Sequence, residues 1–284
     1  MRQHVKSEVD AGILTLTLTR QEKKNSLTND MYAALADALE RAEADPAIRV
    51  VLFQAEGDSF TAGNDIGEFA AQATGAFKDE LHVVRFLHAL ARATRPLVAA
   101  VQGRAVGVGA TMLLHCDLVF LADDALLSTP FVNLALVPEA ASSLLLPARV
   151  GHVRAYAMFA LGETVDAKSA VAWGLANHAV PAGALRETAR QAAAQLAKQP
   201  LGALVTTKQL MRDAATLTAR IDDESARFHD RLRTAKRGKP SPLLPNAVCR
   251  IFLNSQDKPS HFVRLVRQPG ALVWNDKTFR FQCG

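Results

Sequence analysis

An α/β core followed by a helical C-terminal region is the architecture that this 284-residue sequence predicts. Three observations carry it. Short apolar, β-branched runs alternate with helical stretches through the first half of the chain. Beyond about Ser142 the pattern turns mainly helical, in Ala- and Leu-rich segments. Hydrophobic residues make up 49% and charged residues 21%, a balance that supports a sizeable buried core and excludes wholesale disorder.

The elements follow in order. Gly12–Thr19 reads as a strand because small, β-branched and apolar residues alternate. Ser26–Thr28 supplies caps for a helix over Asn29–Ala44, which Asp45-Pro46 ends. Arg49–Ala55 is a short buried strand, and Glu56–Gly67 is a loop with three glycines. Asp79–Ala93 reads as a helix, broken by Arg95-Pro96 before a second buried strand, Leu97–Val101. The glycine-rich Gly103–Gly109 leads into an apolar helical stretch, Ala110–Cys116. Asp117–Leu121 and Leu126–Thr129 are short strands. Helical segments then fall at 152–161, 166–173, 183–198, 203–213 and 217–234.

The net charge of +5 is unevenly placed. Residues 236–284 hold nine Lys/Arg and two Asp/Glu, so the preceding 235 residues, with 24 against 26, are slightly acidic. The basic residues of the tail are scattered and lack interleaved aromatics, so no nucleic-acid partner is expected. The three cysteines, an odd number without regular spacing, argue against a disulfide framework and fit a reducing compartment. Met1–Asp10 lacks the apolar centre of a secretory signal, and no apolar run is long enough to cross a membrane. With the Ala- and Arg-rich style of the chain, these features point to a bacterial cytoplasm.

Chemistry concentrates in two glycine-bearing loops, each after a buried strand: Phe60–Ile66 and Gly103–Gly109. Small residues let a ligand approach the backbone, and a helix N-terminus presents unpaired N–H groups. Two such loops can aim two N–H donors at one oxygen, an oxyanion hole. Tight turns that merely need glycine are the plain alternative. The second loop has the order G-x-x-x-G-x-G, so it is not a dinucleotide fingerprint, and it lacks the Lys-Ser/Thr of a phosphate loop.

Glu139 is a lone acid in the apolar and small-residue stretch 129–143. Such surroundings raise a carboxyl's proton affinity and suit a general base near neutrality. Equally, Pro138 at the first helical position would make Glu139 a helix-dipole partner. His115-Cys116-Asp117 resembles a metal cluster along the chain, but no second ligand pair is suitably spaced, and no metal is expected. His82 and His88 are six apart, not on one helix face, and Ser142-Ser143 lacks a nucleophile-elbow context.

At these residues the chain resembles the enoyl-CoA hydratase/isomerase, or crotonase, superfamily over roughly residues 5–235. The signs are RQEKKNSL at Arg20–Leu27, SFTAGNDIGEF at Ser59–Phe69, AVQGRAVGVG at Ala100–Gly109, HCDLVFLADDA at His115–Ala125 and PEAASSLLLPARVG at Pro138–Gly151. The resemblance implies a spiral core of ββα units over 1–200, a helical trimerisation region over 201–235 and an atypical tail over 236–284. It also implies an acyl-CoA thioester substrate, no separate cofactor, and a homotrimer or dimer of trimers.

The family's oxyanion donors map onto the N–H groups of Asn64 and Val108; the family usually has Gly at the latter. Its hydratases use two Glu residues, which fall here at Thr111 and Phe131, so simple hydration is not expected. Its isomerases resembling the peroxisomal 3,2-enoyl-CoA enzymes use one acid in a P-E-x-x-S-S stretch, which Glu139 matches, with Phe131 drying the acyl pocket. Coenzyme A is expected along Lys24, Ser26 and Leu27 and along Ala62, Gly63, Asn64, Asp65 and Ile66, with Gly107 in the second loop. Lys24 is the candidate for a phosphate. A ring-opening isomerase, a dehalogenase and a non-catalytic acyl-CoA binder are the alternatives.

The resemblance stops after Arg231–Ala235. One permissible set of codons for Lys236–Leu253, read in another frame, gives EAREAVAASSERRLPDFS and a stop, which looks like the family's ending. The tail is therefore read as the product of a frameshift.

Overall fold

The computed structural model describes residues 4–74 and 80–237. The tail from residue 238, with its frameshift reading, and the expected helix start at Asp79 lie outside the described residues.

A six-stranded sheet organises the chain. Its strands are β1 (Val5–Asp10), β2 (Ile13–Leu18), β3 (Val50–Ala55), β4 (Leu97–Val101), β6 (Leu118–Ala122) and β9 (His178–Val180), in the order β1-β2-β3-β4-β6-β9. β1 and β2 form an antiparallel hairpin, and the remaining pairs are parallel. A three-stranded sheet joins β5 (Arg104–Val106), β7 (Leu126–Ser128) and β8 (Val165–Asp166).

Period-2 alternation gives the large sheet two apolar faces. Leu14, Leu16, Val51, Phe53, Leu97 and Ala99 enter one cluster of buried residues; Ile13, Val50, Leu52, Val98 and Ala100 enter the other. Helix α1 (Asn29–Ala44) and α3 (His82–Arg92) bury Met31, Leu35, Leu39, Phe86 and Leu90 in the first cluster. Helix α8 (Leu185–Lys198) places Leu185, Ala189 and Ala193, each four residues apart, in the second.

The helix over 29–44 has the bounds expected from its caps: the Thr28 hydroxyl accepts the Met31 amide at 3.3 Å. β1 was not expected. Five of its six residues are exposed, so it lacks alternation. The second glycine loop also holds β5, and helix α2 (Ile66–Thr74) begins inside the first. Helix α4 (Val108–Thr111) continues as a 3-10 turn over Met112–His115. Then come α5 (Ser142–Val150), α6 (His152–Tyr156), α7 (Ala167–Ala172), α9 (Leu201–Met211) and α10 (Ala214–Arg237).

Candidate active site

Backbone pairing brings the two glycine loops together. Thr61 and Ala105 form a parallel bridge, with the Thr61 amide donating to Arg104 O and the Val106 amide to Thr61 O. Gly63 is required where they meet: its φ is +88°, and a Cβ there would lie 2.9 Å from Val106 O. A second bridge pairs Leu27 with Asn64. The Leu27 amide donates to Gly63 O at 2.8 Å and the Asp65 amide to Leu27 O at 2.9 Å. In a parallel ladder this pattern turns the peptide N–H of Asn64 away from Leu27.

Val108 opens α4 after Gly107, whose φ of +57° and ψ of −120° lie in a region that glycine adopts readily. As the first helical residue, Val108 has an N–H without an intrahelical acceptor. Its side chain is buried in the core.

Glu139 does not sit in a helix. Helix α5 starts three residues later, so the dipole-partner alternative for Pro138 and Glu139 fails. Ala140 and Ala141 both have positive φ, 63° and 53°, a strained left-handed pair that turns the chain into α5. Hydrogen bonds hold this turn. The Ser142 amide donates to Glu139 O at 3.0 Å, and the Leu144 and Leu145 amides to Ala141 O, both at 3.0 Å. From outside it, His115 Nε2 donates to Ala140 O at 2.7 Å. Arg212 donates to Nδ1 and the carbonyl of His115, which fixes the tautomer. Burial, then the charge of Arg212, pushes His115 down to about 3, so the ring is neutral.

The His115-Cys116-Asp117 string thus serves the fold. His115 braces the Glu139 turn, Cys116 is buried in the core, and Asp117 accepts from Lys208 Nζ and the Leu97 amide, both at 2.7 Å.

Glu139 is only 6% exposed, and its Oε1 has no hydrogen-bond partner. Burial, followed by the charge of Glu224, pushes its carboxyl up to about 8. It lines a cavity with Asn64, Asp65 and Leu27 of the expected site. Phe69, Leu87, Phe228 and Leu232 supply much of the apolar wall.

Other expected residues lie elsewhere. Phe131 packs against Phe159, ring centroids 6.1 Å apart, and does not line this cavity, whose apolar wall comes from helices α2, α3 and α10. Gly107, Val108, Ala62, Gly63, Ser26 and Ile66 are likewise outside the lining, in the surrounding loops. Lys24 pairs with Asp58 at 2.6 Å on the surface.

Sequence reasoning missed four residues here. Tyr32 of α1 lines the cavity and donates its hydroxyl to Asn64 Oδ1. Burial, then the charges of Glu139 and Glu68, raises its phenol well above the usual range. Glu68 accepts the Asn29 amide at 2.6 Å and is raised chiefly by burial. Arg20 ties the first loop: one guanidinium nitrogen donates to Ser26 O at 2.9 Å, Ser26 Oγ at 2.8 Å and Asp65 Oδ2 at 2.7 Å. Glu224 reaches the Glu139 turn from α10. Tyr32 was the findable one, a lone phenol on the apolar stripe of a well-predicted helix.

Comparison with known proteins identifies the family. The family model for enoyl-CoA hydratase/isomerase matches residues 8–239. The 1,2-epoxyphenylacetyl-CoA isomerase of Escherichia coli K12 is 35% identical over 237 residues, 82% of this chain and 90% of that protein. Enoyl-CoA delta isomerase 2 of Rattus norvegicus is 32% identical over 72% of this chain; the match spans 53% of the rat protein. The structure of Pseudomonas aeruginosa OdaA superposes with a TM-score of 0.78 at 42% identity, covering 88% of this chain and 98% of that one. The chain belongs to the enoyl-CoA hydratase/isomerase family, with the crotonase fold.

Proposed function

We propose that the protein is an acyl-CoA isomerase that converts a 3-enoyl-CoA to the trans-2-enoyl-CoA, with Glu139 as its single acid/base. The observation that carries this reading is the buried Glu139 carboxyl, raised to about 8, with an unpartnered oxygen in a cavity shared with Asn64. A carboxylate poised this close to neutrality can take a proton and give it back.

The thioester oxygen accepts from the Asn64 and Val108 N–H groups. Glu139 removes a C2 proton, and the electron pair passes to the thioester oxygen as a dienolate. The same carboxyl returns the proton at C4, leaving the double bond between C2 and C3. One base serves both carbons because they lie on one face of a planar system. The apolar wall strengthens these interactions and excludes competing water.

Residues at the two hydratase positions support isomerisation over hydration. Thr111 is fully buried, and its hydroxyl leans on Val108 O at 3.4 Å. Phe131 packs on Phe159. Neither offers a carboxylate to activate water. Coenzyme A is assigned to the segments Lys24–Leu27 and Ala62–Ile66, which the Arg20–Asp65 pair fastens together. A ring-opening isomerisation is the second reading, favoured by the identity to the Escherichia coli epoxide isomerase and by the Tyr32 hydroxyl in the cavity. A homotrimer or dimer of trimers is proposed as the assembly, on the resemblance to the family. Among the described residues, no helix is long and apolar enough to cross a membrane.

The test offers 3-hexenoyl-CoA and crotonyl-CoA to the wild-type enzyme and follows products by chromatography and mass spectrometry. Same-mass conversion of the first and no water addition to the second is the expected outcome. Hydration of crotonyl-CoA, or no conversion of 3-hexenoyl-CoA, overturns it.

A further inference from the structure

Two carboxylates, from distant parts of the chain, meet at the turn that carries the base. The amide of Ser142 donates to Glu139 O at 3.0 Å, and the next amide, Ser143, donates to Glu224 Oε1 at 2.9 Å. Glu224 lies on α10, some eighty residues away in sequence, yet it is only 4% exposed. Its second oxygen, Oε2, is buried without a hydrogen-bond partner, as is Oε1 of Glu139. Two unsatisfied acceptors in one dry region are costly unless a proton or a ligand supplies a donor.

The charged and titratable groups nearby do not remove that cost. Arg220, one turn earlier on α10, donates to Ser143 Oγ at 3.2 Å and draws on the Glu224 charge through space. From α1 Tyr32 faces Glu139, its hydroxyl committed to Asn64, and Glu68 of α2 brings a further negative charge to the same cavity. His229 of α10 lines the cavity with Nδ1 bonded to Ser225 O at 2.7 Å. His88 of α3 is engaged by Asp222 at 2.8 Å. Burial raises the Glu224 carboxyl above its usual range, but the Ser143 hydroxyl and amide, the Ala141 amide and Arg220 all oppose that rise, so it is the better anchored of the two carboxylates. For Glu139 both burial and the neighbouring charge favour the neutral form.

We propose that Glu224 is a positioning residue for Glu139: it caps the amides that begin α5 and sets a second buried carboxylate against the base, so that the empty site holds one proton for the pair, on Glu139. The inference rests on Glu139 being the acid/base, and it gives α10 a part in the reaction. Glu224 ionises first; its charge then makes Glu139 a stronger base than burial alone would, at the cost of ionising later. Once Glu139 has lost that proton to solvent both carboxylates are charged; when Glu139 then takes the C2 proton, the repulsion within the pair is relieved, so the step that forms the dienolate is favoured.

The test is carboxyl NMR of the full chain labelled with 13C at glutamate Cδ, titrated without substrate. The Glu139 signal is identified by its loss in Glu139→Gln. In the wild type, Glu139 is expected to titrate after Glu224, with a midpoint near the value of about 8 set by its surroundings. In Glu224→Gln, which keeps an acceptor for the Ser143 amide, that midpoint falls by roughly one unit, and the acid limb of kcat/KM for 3-hexenoyl-CoA falls with it. Glu224→Asp keeps the charge and is expected to retain most of the displacement. An unchanged or raised Glu139 midpoint in Glu224→Gln overturns the proposal. So does a wild type in which Glu139 titrates first, a result that needs no folded variant at Glu224. Because the NMR titration does not depend on turnover, coupling without isomerisation overturns the functional reading alone. Isomerisation that needs Glu139 but ignores Glu224 overturns the pairing alone.

Discussion

The hydroxyl of Tyr32 donates a hydrogen bond to Oδ1 of Asn64 and thereby ties helix α1 to the loop that presents the Asn64 peptide. The contact complements the Leu27–Asn64 bridge: one holds the backbone of Asn64 and the other its side chain. Asn64 is thus held from two elements on its own side of the cavity, while Val108 is held through α4. Such fixing matters because a donor helps a developing oxyanion only if it is aimed before the charge appears.

Tyr32→Phe removes the clamp and leaves the ring in place. Activity with 3-hexenoyl-CoA is expected to fall on the order of tenfold in kcat/KM, about 1.4 kcal/mol. The fall should lie mainly in kcat, with the melting temperature within about 2 °C of wild type. An unchanged kcat would show that Asn64 is held well enough without the phenol.

Gly63→Ala places a methyl group 2.9 Å from Val106 O at a φ of +88°. Both loops must shift to admit it. Destabilisation of ~2 kcal/mol or more is expected, a fall of roughly 4–8 °C in melting temperature. Turnover should drop with it, because the Asn64 N–H moves. Calorimetry and the isomerase assay on one sample check both.

Arg20→Ala unfastens Ser26 and Asp65 together. The pair is mostly buried, so a loss of about 1–3 kcal/mol is expected. The Asp65 carboxyl lies below its usual range: burial raises it, but Arg20 and the Gly67 and Glu68 amides outweigh that. A depressed carboxyl stabilises the fold above its unfolded pKa and loses that contribution as pH falls through the folded value. The difference in stability between wild type and Arg20→Ala should therefore shrink under acid conditions. KM for acyl-CoA should rise more than kcat falls, if the fastened segments hold coenzyme A.

Glu139 has the opposite linkage. Its folded pKa is raised, so the folded protein binds more protons than the unfolded chain between about 4.5 and about 8. Stability from this group is fully present at the acid end of that window and is lost as pH rises through it. Glu139→Gln, which cannot ionise, should be more stable than wild type at pH 8 by on the order of a few kcal/mol. That advantage should vanish near pH 4. Denaturant melts at the two pH values measure it, and an equal gap at both would contradict a buried, raised carboxyl.

Legibility in the sequence followed locality. Helix α1 was readable because Thr28, an apolar stripe and Asp45-Pro46 all act within one segment. The central strands were readable because burial on both faces leaves continuous apolar runs. β1 and β9 were not, because an exposed or three-residue edge strand is specified by its partner more than by its own pattern. Nothing in Ala140-Ala141 announces two left-handed residues, so the sequence left open whether a helix begins at Pro138. Glu139 stood out as a lone acid among small and apolar residues. Glu224 did not, because on α10 it is one acid among several, and only packing brings it to the Ser143 amide. Phe131 was assigned to the acyl pocket by position, whereas its ring turns to Phe159.

The central claim is that one carboxyl performs the whole proton transfer, and turnover of 3-hexenoyl-CoA by Glu139→Gln tests it most directly. The substitution keeps the shape of the side chain and removes its basicity. With folding and coenzyme A affinity confirmed on the same preparation, the account predicts a fall in kcat of about 10²–10⁴ and nearly unchanged binding. Isomerisation by Glu139→Gln at a rate near that of the wild type would contradict it.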